Sequence, residues 1–405
     1  MIFPREFLKA IPKTDLHVHL DGSLRLPTII ELAKEQKLTL PSFTEEGLCE
    51  TVFKERYGNL VEYLQGFQYT VAVMQTPEAI ERVAYEFALD SFADGVRYVE
   101  PRFAPQLNAN ASMTSDDVLL AAHRGFERAK REINAVPEIA SGAQPPFEYG
   151  IICCAMRMFT EQFGAYYRHL TELHPHMPSE ELFGLASEDL VRTMIDVRDN
   201  RGVPIAGFDL AGAEAGYPAE DHERAYDLAH KNFLKKTVHA GEAYGPPSIF
   251  QAITDCHADR IGHGTHLFDT SLVNLPTEGE REDYVRALWQ YIGDRRITIE
   301  VCLTSNLQTM PHIPDLAHHP AAQMLEDRLS VTFCTDNRLV SHTTSTDEFE
   351  LAVTHFPITP KRLKDIVIYG FKRSFFPGDY LEKRKYIRGI IDYYEEMEKK
   401  YGIER

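Results

Sequence analysis

Apolar and polar positions alternate along short runs of this chain, and between most of those runs the apolar positions follow a helical spacing. The alternating runs fall at 14–23, 95–103, 147–155, 203–210, 236–240, 260–263, 297–302 and 329–336. A period of two marks a strand, and strands alternating with helices mark parallel βα units. Eight such units predict an α/β fold, a (β/α)8 TIM barrel formed as one domain over 1–405. Its site would lie at the C-terminal ends of the strands. After the first run, Leu26, Ile29, Ile30, Leu32 and Ala33 recur at helical spacing, with Pro27 at the helix start. Residues 41–94 hold further amphipathic helices before the second run begins. About 70 residues is long for a simple crossover. The segment 24–94 is therefore expected to be a helical insertion covering the C-terminal mouth as a lid. The Pro/Gly/Ala/Ser-rich stretch 135–146 is placed on the opposite face, and the polar loop 269–283 near the site mouth. From residue 359 onward the chain reads as charged helix, broken at Pro377-Gly378.

The strand ends carry the chemistry. His17, His19 and Asp21 recur every second position, which puts them on one face of the first run. Two imidazoles so placed can chelate a metal such as zinc, iron or nickel. The same end-of-strand rule adds His239, His263 and Asp336. Burying such groups without partners is costly, and a shared metal removes that cost. Three histidines, one carboxylate and a water make a five-coordinate zinc site suited to catalysis. Glu242 follows His239 by three residues, after a glycine that lets the chain turn. It can face the pocket without binding the metal and is a candidate proton donor. Glycines on both sides of His263 would let backbone approach a ligand.

Charge and composition narrow the partners. The formal net charge is −18, so no Lys/Arg field is available for nucleic acid or an anionic membrane. A small nucleoside in a pocket is not excluded. The six cysteines form no Cys-x-x-Cys pair and are expected to be free thiols in a reducing compartment. The N-terminus has no signal-peptide layout, and no apolar run nears the roughly 20 residues of a membrane span. A cytoplasmic location is the expectation. Oligomeric state is not legible.

Taken in order, His17-Val-His-Leu-Asp-Gly22, Asp209-Leu-Ala-Gly212, Thr237-Val-His-Ala-Gly-Glu242, Gly262-His-Gly264, Glu300-Val-Cys302, Cys334-Thr-Asp336 and Lys372-Arg-Ser-Phe-Phe-Pro377 resemble the adenosine deaminase family of the amidohydrolase superfamily. The resemblance spans about Ile11 to Pro377. It implies that His17, His19, His239 and Asp336 hold one Zn2+. It implies that Glu242 protonates purine N1, while His263 and Asp336 steer a water to C6. Gly212 would offer its N–H to N3, Asp21 would bind a ribose hydroxyl, and His19 would also face the substrate. The implied reaction converts adenosine or 2′-deoxyadenosine to inosine or 2′-deoxyinosine and ammonia.

One stretch departs from the family pattern. Asn337-Arg338 stands where Asp-Pro is usual. Asn337 can still donate a hydrogen bond to purine N7. Arg338 is either a structural ion pair or a reader of an anionic substrate, since its fork suits carboxylate and phosphate. The second option points to an AMP-like or aminodeoxyfutalosine-like substrate. Free adenine is a further alternative, although the short Asp21 leaves room for a ribose. A binuclear ester or phosphotriester hydrolase of the superfamily would often carry a metal-bridging Lys on the fourth strand, and 203–210 has none. A binding protein without activity would have little reason to keep every one of these positions filled.

Overall fold

The structure is a computed structural model that describes residues 3–58, 60–310 and 313–403. Its strands are β1 Lys13–His19, β2 Val96–Phe103, β3 Glu148–Tyr149, β4 Ile151–Met156, β5 Ile205–Ala211, β6 Lys235–Ala240, β7 Arg260–His263, β8 Thr298–Val301 and β9 Val331–Phe333. All pairings between them are parallel. The order is β1-β2-β4-β5-β6-β7-β8-β9, with β3 a two-residue extension paired to β2. The run 147–155 is therefore two strands, parted at Gly150. Eight strands form the expected barrel, and nearly every position along them is buried. Helices cover the outer faces while side chains from the strands fill the interior, so both faces are dry.

The barrel closes through main chain beyond the last strand. Asp336 N–H donates to His17 O at 2.8 Å, and His19 N–H donates to Asp336 O at 2.6 Å. The run expected over 329–336 ends as a strand at Phe333. Beyond it the Asp15 carboxylate accepts from Thr335 N–H at 3.2 Å and from Thr335 Oγ1 at 2.6 Å, replacing ladder bonds with side-chain bonds. This closure sets Asp336 directly beside His17 and His19.

Between β1 and β2 lie helices Leu26–Glu35, Glu45–Thr51, Leu60–Leu64, Phe67–Val73 and Pro77–Ala93. Among the described residues of this segment, those lining the cavity at the C-terminal mouth fall within 60–75. Pro77–Ala93 is the crossover helix that packs beside β2 and Ser115–Asn134. The 269–283 segment does not line the cavity. It packs through Leu272 against Gly245, just past Glu242. All six cysteines are free. No helix among the described residues is long and apolar enough to cross a membrane.

Candidate active site

The C-terminal strand ends bring His17, His19, His239 and Asp336 together, with one ligand atom from each within 4.8 Å of the others. His19 Nε2 lies 3.2 Å from His239 Nε2. Asp336 Oδ1 lies 3.5 Å from Nε2 of both His17 and His19. Two of the rings have their protons assigned by what lies behind them. His17 Nδ1 faces Glu300 Oε2 at 2.8 Å, and His239 Nδ1 faces Asp209 at 3.0 Å. A carboxylate there takes an N–H, so each ring turns a bare Nε2 lone pair to the centre. His17 Nε2 is buried without a hydrogen-bond partner. Burial also lowers the pKa of His19 and His239, favouring the neutral ligand form. This donor set fits a metal ion with nitrogen and oxygen ligands.

One guanidinium ties the backing carboxylates together. Arg102 on β2 donates to Asp209 at 2.8 Å and to Glu300 at 2.9 Å. Arg260 on β7 donates to Glu300 at 2.5 Å and pairs with Glu100. All five side chains are at most 1% exposed. A Cβ at Gly262 would stand 2.9 Å from His17 Cε1, so the glycine makes room for the His17 ring, not for a ligand. His263 and Asp336 both have left-handed backbone, with φ of 65° and 59°. Such strain costs about 1–3 kcal/mol per residue and persists only where surrounding structure imposes it.

Glu242 lies above the cluster and lines the cavity. Burial first, then the nearby charges of Asp336 and Glu214, pushes its pKa up to about 8. Its turn is held by Glu214, whose carboxylate accepts from the N–H groups of Gly241, Glu242, Ala243 and Tyr244 at 2.9, 3.0, 2.6 and 3.0 Å. The turn needs φ of +73° at Gly241, where a Cβ would also collide with Ile249. His263 Nε2 lies 3.9 Å from Glu242 Oε2.

Asp21, Gly212 and Asn337 also line the cavity. Asp21 lies two residues beyond the end of β1, in a turn. Strand alternation therefore stops short of it, yet it still reaches the cavity. Burial raises its pKa to about 7, and its Oδ1 has no hydrogen-bond partner. Asn337 Nδ2 donates to Tyr63 Oη at 2.8 Å, leaving Oδ1 buried and unpartnered. Turning the amide over exchanges these roles without moving the side chain. Arg338 points away from the cavity: its guanidinium donates to Ser91 Oγ at 3.0 Å and lies 3.9 Å from Asp94. Of the two roles considered for Arg338, these contacts are those of the structural one, made at the crossover helix.

Pattern reasoning missed Glu214, Tyr63, Arg102 and Glu300 as site residues. Asp209 and Glu300 are each the one charged residue of their strand, and that signal was present, whereas Arg102 shares β2 with Arg97 and Glu100. Tyr63 carried none, because its place depends on how the insertion folds back.

Over residues 12–393 the chain matches the family described as adenosine deaminase. It is 36% identical over 375 residues to the adenosine deaminase of Mycobacterium ulcerans, covering 92% of each chain. A solved amidohydrolase from Burkholderia ambifaria with bound Zn has the same fold, with TM-score 0.76, 20% identity, and coverage of 99% of this chain and 95% of that one. The N6-methyl-AMP deaminase of Arabidopsis thaliana superimposes with TM-score 0.70 at 22% identity, over 96% of this chain and 98% of its own. Fold, ligand cluster and sequence agree on a deaminase-type hydrolase barrel. The chain belongs to the adenosine deaminase family.

Proposed function

We propose that this protein hydrolytically deaminates adenosine and 2′-deoxyadenosine, with one zinc ion held by His17, His19, His239 and Asp336. The observation that carries this reading is a buried carboxyl, Glu242, whose pKa burial raises to about 8 and which lines the same cavity as His19, His239 and Asp336. The ion, when bound, supplies a water of lowered pKa. Glu242 donates its proton to purine N1, which makes C6 electrophilic. His263 and Asp336 orient the water toward C6. Gly212 offers its backbone N–H to N3, and Asp21 takes a ribose hydroxyl. N7 needs a donor, which calls for the Asn337 amide turned so that Oδ1 accepts from Tyr63. The 24–94 insertion acts as the lid through residues 60–75, and the barrel with its lid works as one domain over 1–405.

The cavity favours a nucleoside over a nucleotide. It encloses about 590 Å3, and no Lys or Arg is among the described residues that line it. A phosphate buried there would lack a counter-charge. The test is ammonia release by purified, metal-quantified protein from adenosine, 2′-deoxyadenosine, adenine, AMP and a carboxylated adenosine. Turnover of the two nucleosides should exceed that of AMP by at least about 100-fold, the order expected from an unpaired buried charge. Turnover confined to AMP or the carboxylated compound would overturn the reading.

A further inference from the structure

His263 receives its proton assignment from outside the cavity. The chain of contacts starts at a group whose role is unambiguous, the backbone N–H of Ala321. It lies 3.1 Å from His319 Nδ1, which must therefore accept. His319 is 2% exposed, and burial holds it neutral by lowering its pKa to about 4. A neutral ring that accepts at Nδ1 carries its proton on Nε2. That Nε2 lies 3.3 Å from Asn306 Oδ1, so the amide oxygen accepts. The other end of the same buried amide, Asn306 Nδ2, lies 3.1 Å from His263 Nδ1. An amide nitrogen only donates, so His263 Nδ1 accepts, and a neutral His263 carries its proton on Nε2. Turning the Asn306 amide over would set its N–H against the His319 Nε2–H. The chain is self-consistent in one direction only.

We propose that Asn306 and His319 are positioning residues that hold His263 in its Nε2–H form, so that it serves the reaction as a hydrogen-bond donor and not as a base. The proposal rests on the deaminase reading of this cavity. Nε2 is the nitrogen nearer the Glu242 carboxylate, on the cavity side. A fixed N–H there stabilises the water oxygen as it takes on hydroxide character before it adds to C6. No proton leaves His263 in this role. Accepting the proton that the water loses then falls to the Asp336 carboxylate, and proton donation to Glu242.

The test uses the metal-loaded protein labelled with 15N-histidine, with the His263 signals identified by their loss in His263→Gln. Wild type should show an unprotonated Nδ1 and a protonated Nε2 at His263. Asn306→Asp places an acceptor at Nδ1 and should move the proton there. In that variant kcat for adenosine should fall about 100-fold with little change in KM, the order seen when a fixed oxyanion donor is removed. Asn306→Ala, which removes the donor without imposing an acceptor, should lose less. A wild-type His263 protonated at Nδ1 overturns the proposal, as does an inverted ring in Asn306→Asp with undiminished kcat. Because the ring signals are read without substrate, a protein that ignores adenosine would refute the deaminase reading and leave the tautomer result standing.

Discussion

The barrel interior beneath the ligand cluster and the cavity wall above it are built from opposite materials. Beneath lie Arg102, Arg260, Glu100, Asp209 and Glu300, fully buried and cross-linked by ion pairs. Above, Leu64, Phe67, Val71, Met156, Met158 and Phe163 make an apolar wall. The lower region uses charge to fix geometry: Glu300 and Asp209 each turn an imidazole, and the guanidiniums of Arg102 and Arg260 hold the carboxylates. The upper region uses dryness to alter chemistry, since removing water lifts the Glu242 pKa. Burial raises the cost of ionisation in both regions. Only the lower one supplies counter-charges, so Asp209 and Glu300 are held well below the usual carboxylate range while Glu242 keeps its proton.

The largest effect should come from the dry side. Glu242→Gln cannot transfer a proton and should lower kcat for adenosine by about 1000-fold, within the range for a lost general acid, at unchanged metal content. In the unmodified enzyme the protonated form of Glu242 is the active one. The kcat/KM of adenosine should therefore fall with rising pH, along a limb at or below about 8. A bound cation offsets the charge of Asp336 and moves that limb downward. Folded Glu242 also holds its proton to higher pH than the unfolded carboxyl, so its contribution to stability declines as pH rises from 4.5 through about 8. A rate independent of pH across this window would remove Glu242 as the acid.

The next effect should come from the charged side. Arg102→Met leaves Asp209 without its guanidinium and frees the orientation of His17 and His239. Metal affinity should weaken by about 10- to 100-fold, as for other lost supports of ligating histidines. Thermal unfolding should also shift to lower temperature. Chelator competition and a melting curve check both. Unchanged metal affinity would mean that the carboxylates hold the rings unaided.

The smallest effect belongs at the edge between the regions. Arg338→Ala should cost stability of about 1.5–3 kcal/mol, the scale of a charged hydrogen bond. Turnover of adenosine and AMP should change by the same factor. A selective loss on AMP would restore a substrate-reading role to Arg338.

Much of the upper strand-end chemistry was legible because it follows a local rule. His17 and His19 alternate on one strand, and His239, His263 and Asp336 close apolar runs. The barrel was legible for the same reason, since eight runs with helices between them repeat one βα unit. What escaped the rule depends on contacts between distant segments. Glu214 is an ordinary loop carboxylate until the fold sets it against four N–H groups of the Glu242 turn. Asn306 and His319 lie on segments with no strand pattern, and their meaning depends on which ring each one reaches.

The chain's own periodicity, with its polar residues at strand ends, determined the barrel and the inventory of ligands, because side-chain direction in a strand follows from covalent geometry alone. Tertiary structure decided the rest. It decided that Arg338 turns to the crossover helix, that the described residues of the insertion facing the cavity fall within 60–75, and which nitrogen of each imidazole carries the proton. Those outcomes depend on which groups meet across tens or hundreds of residues, and a hydrogen bond takes its direction from both partners.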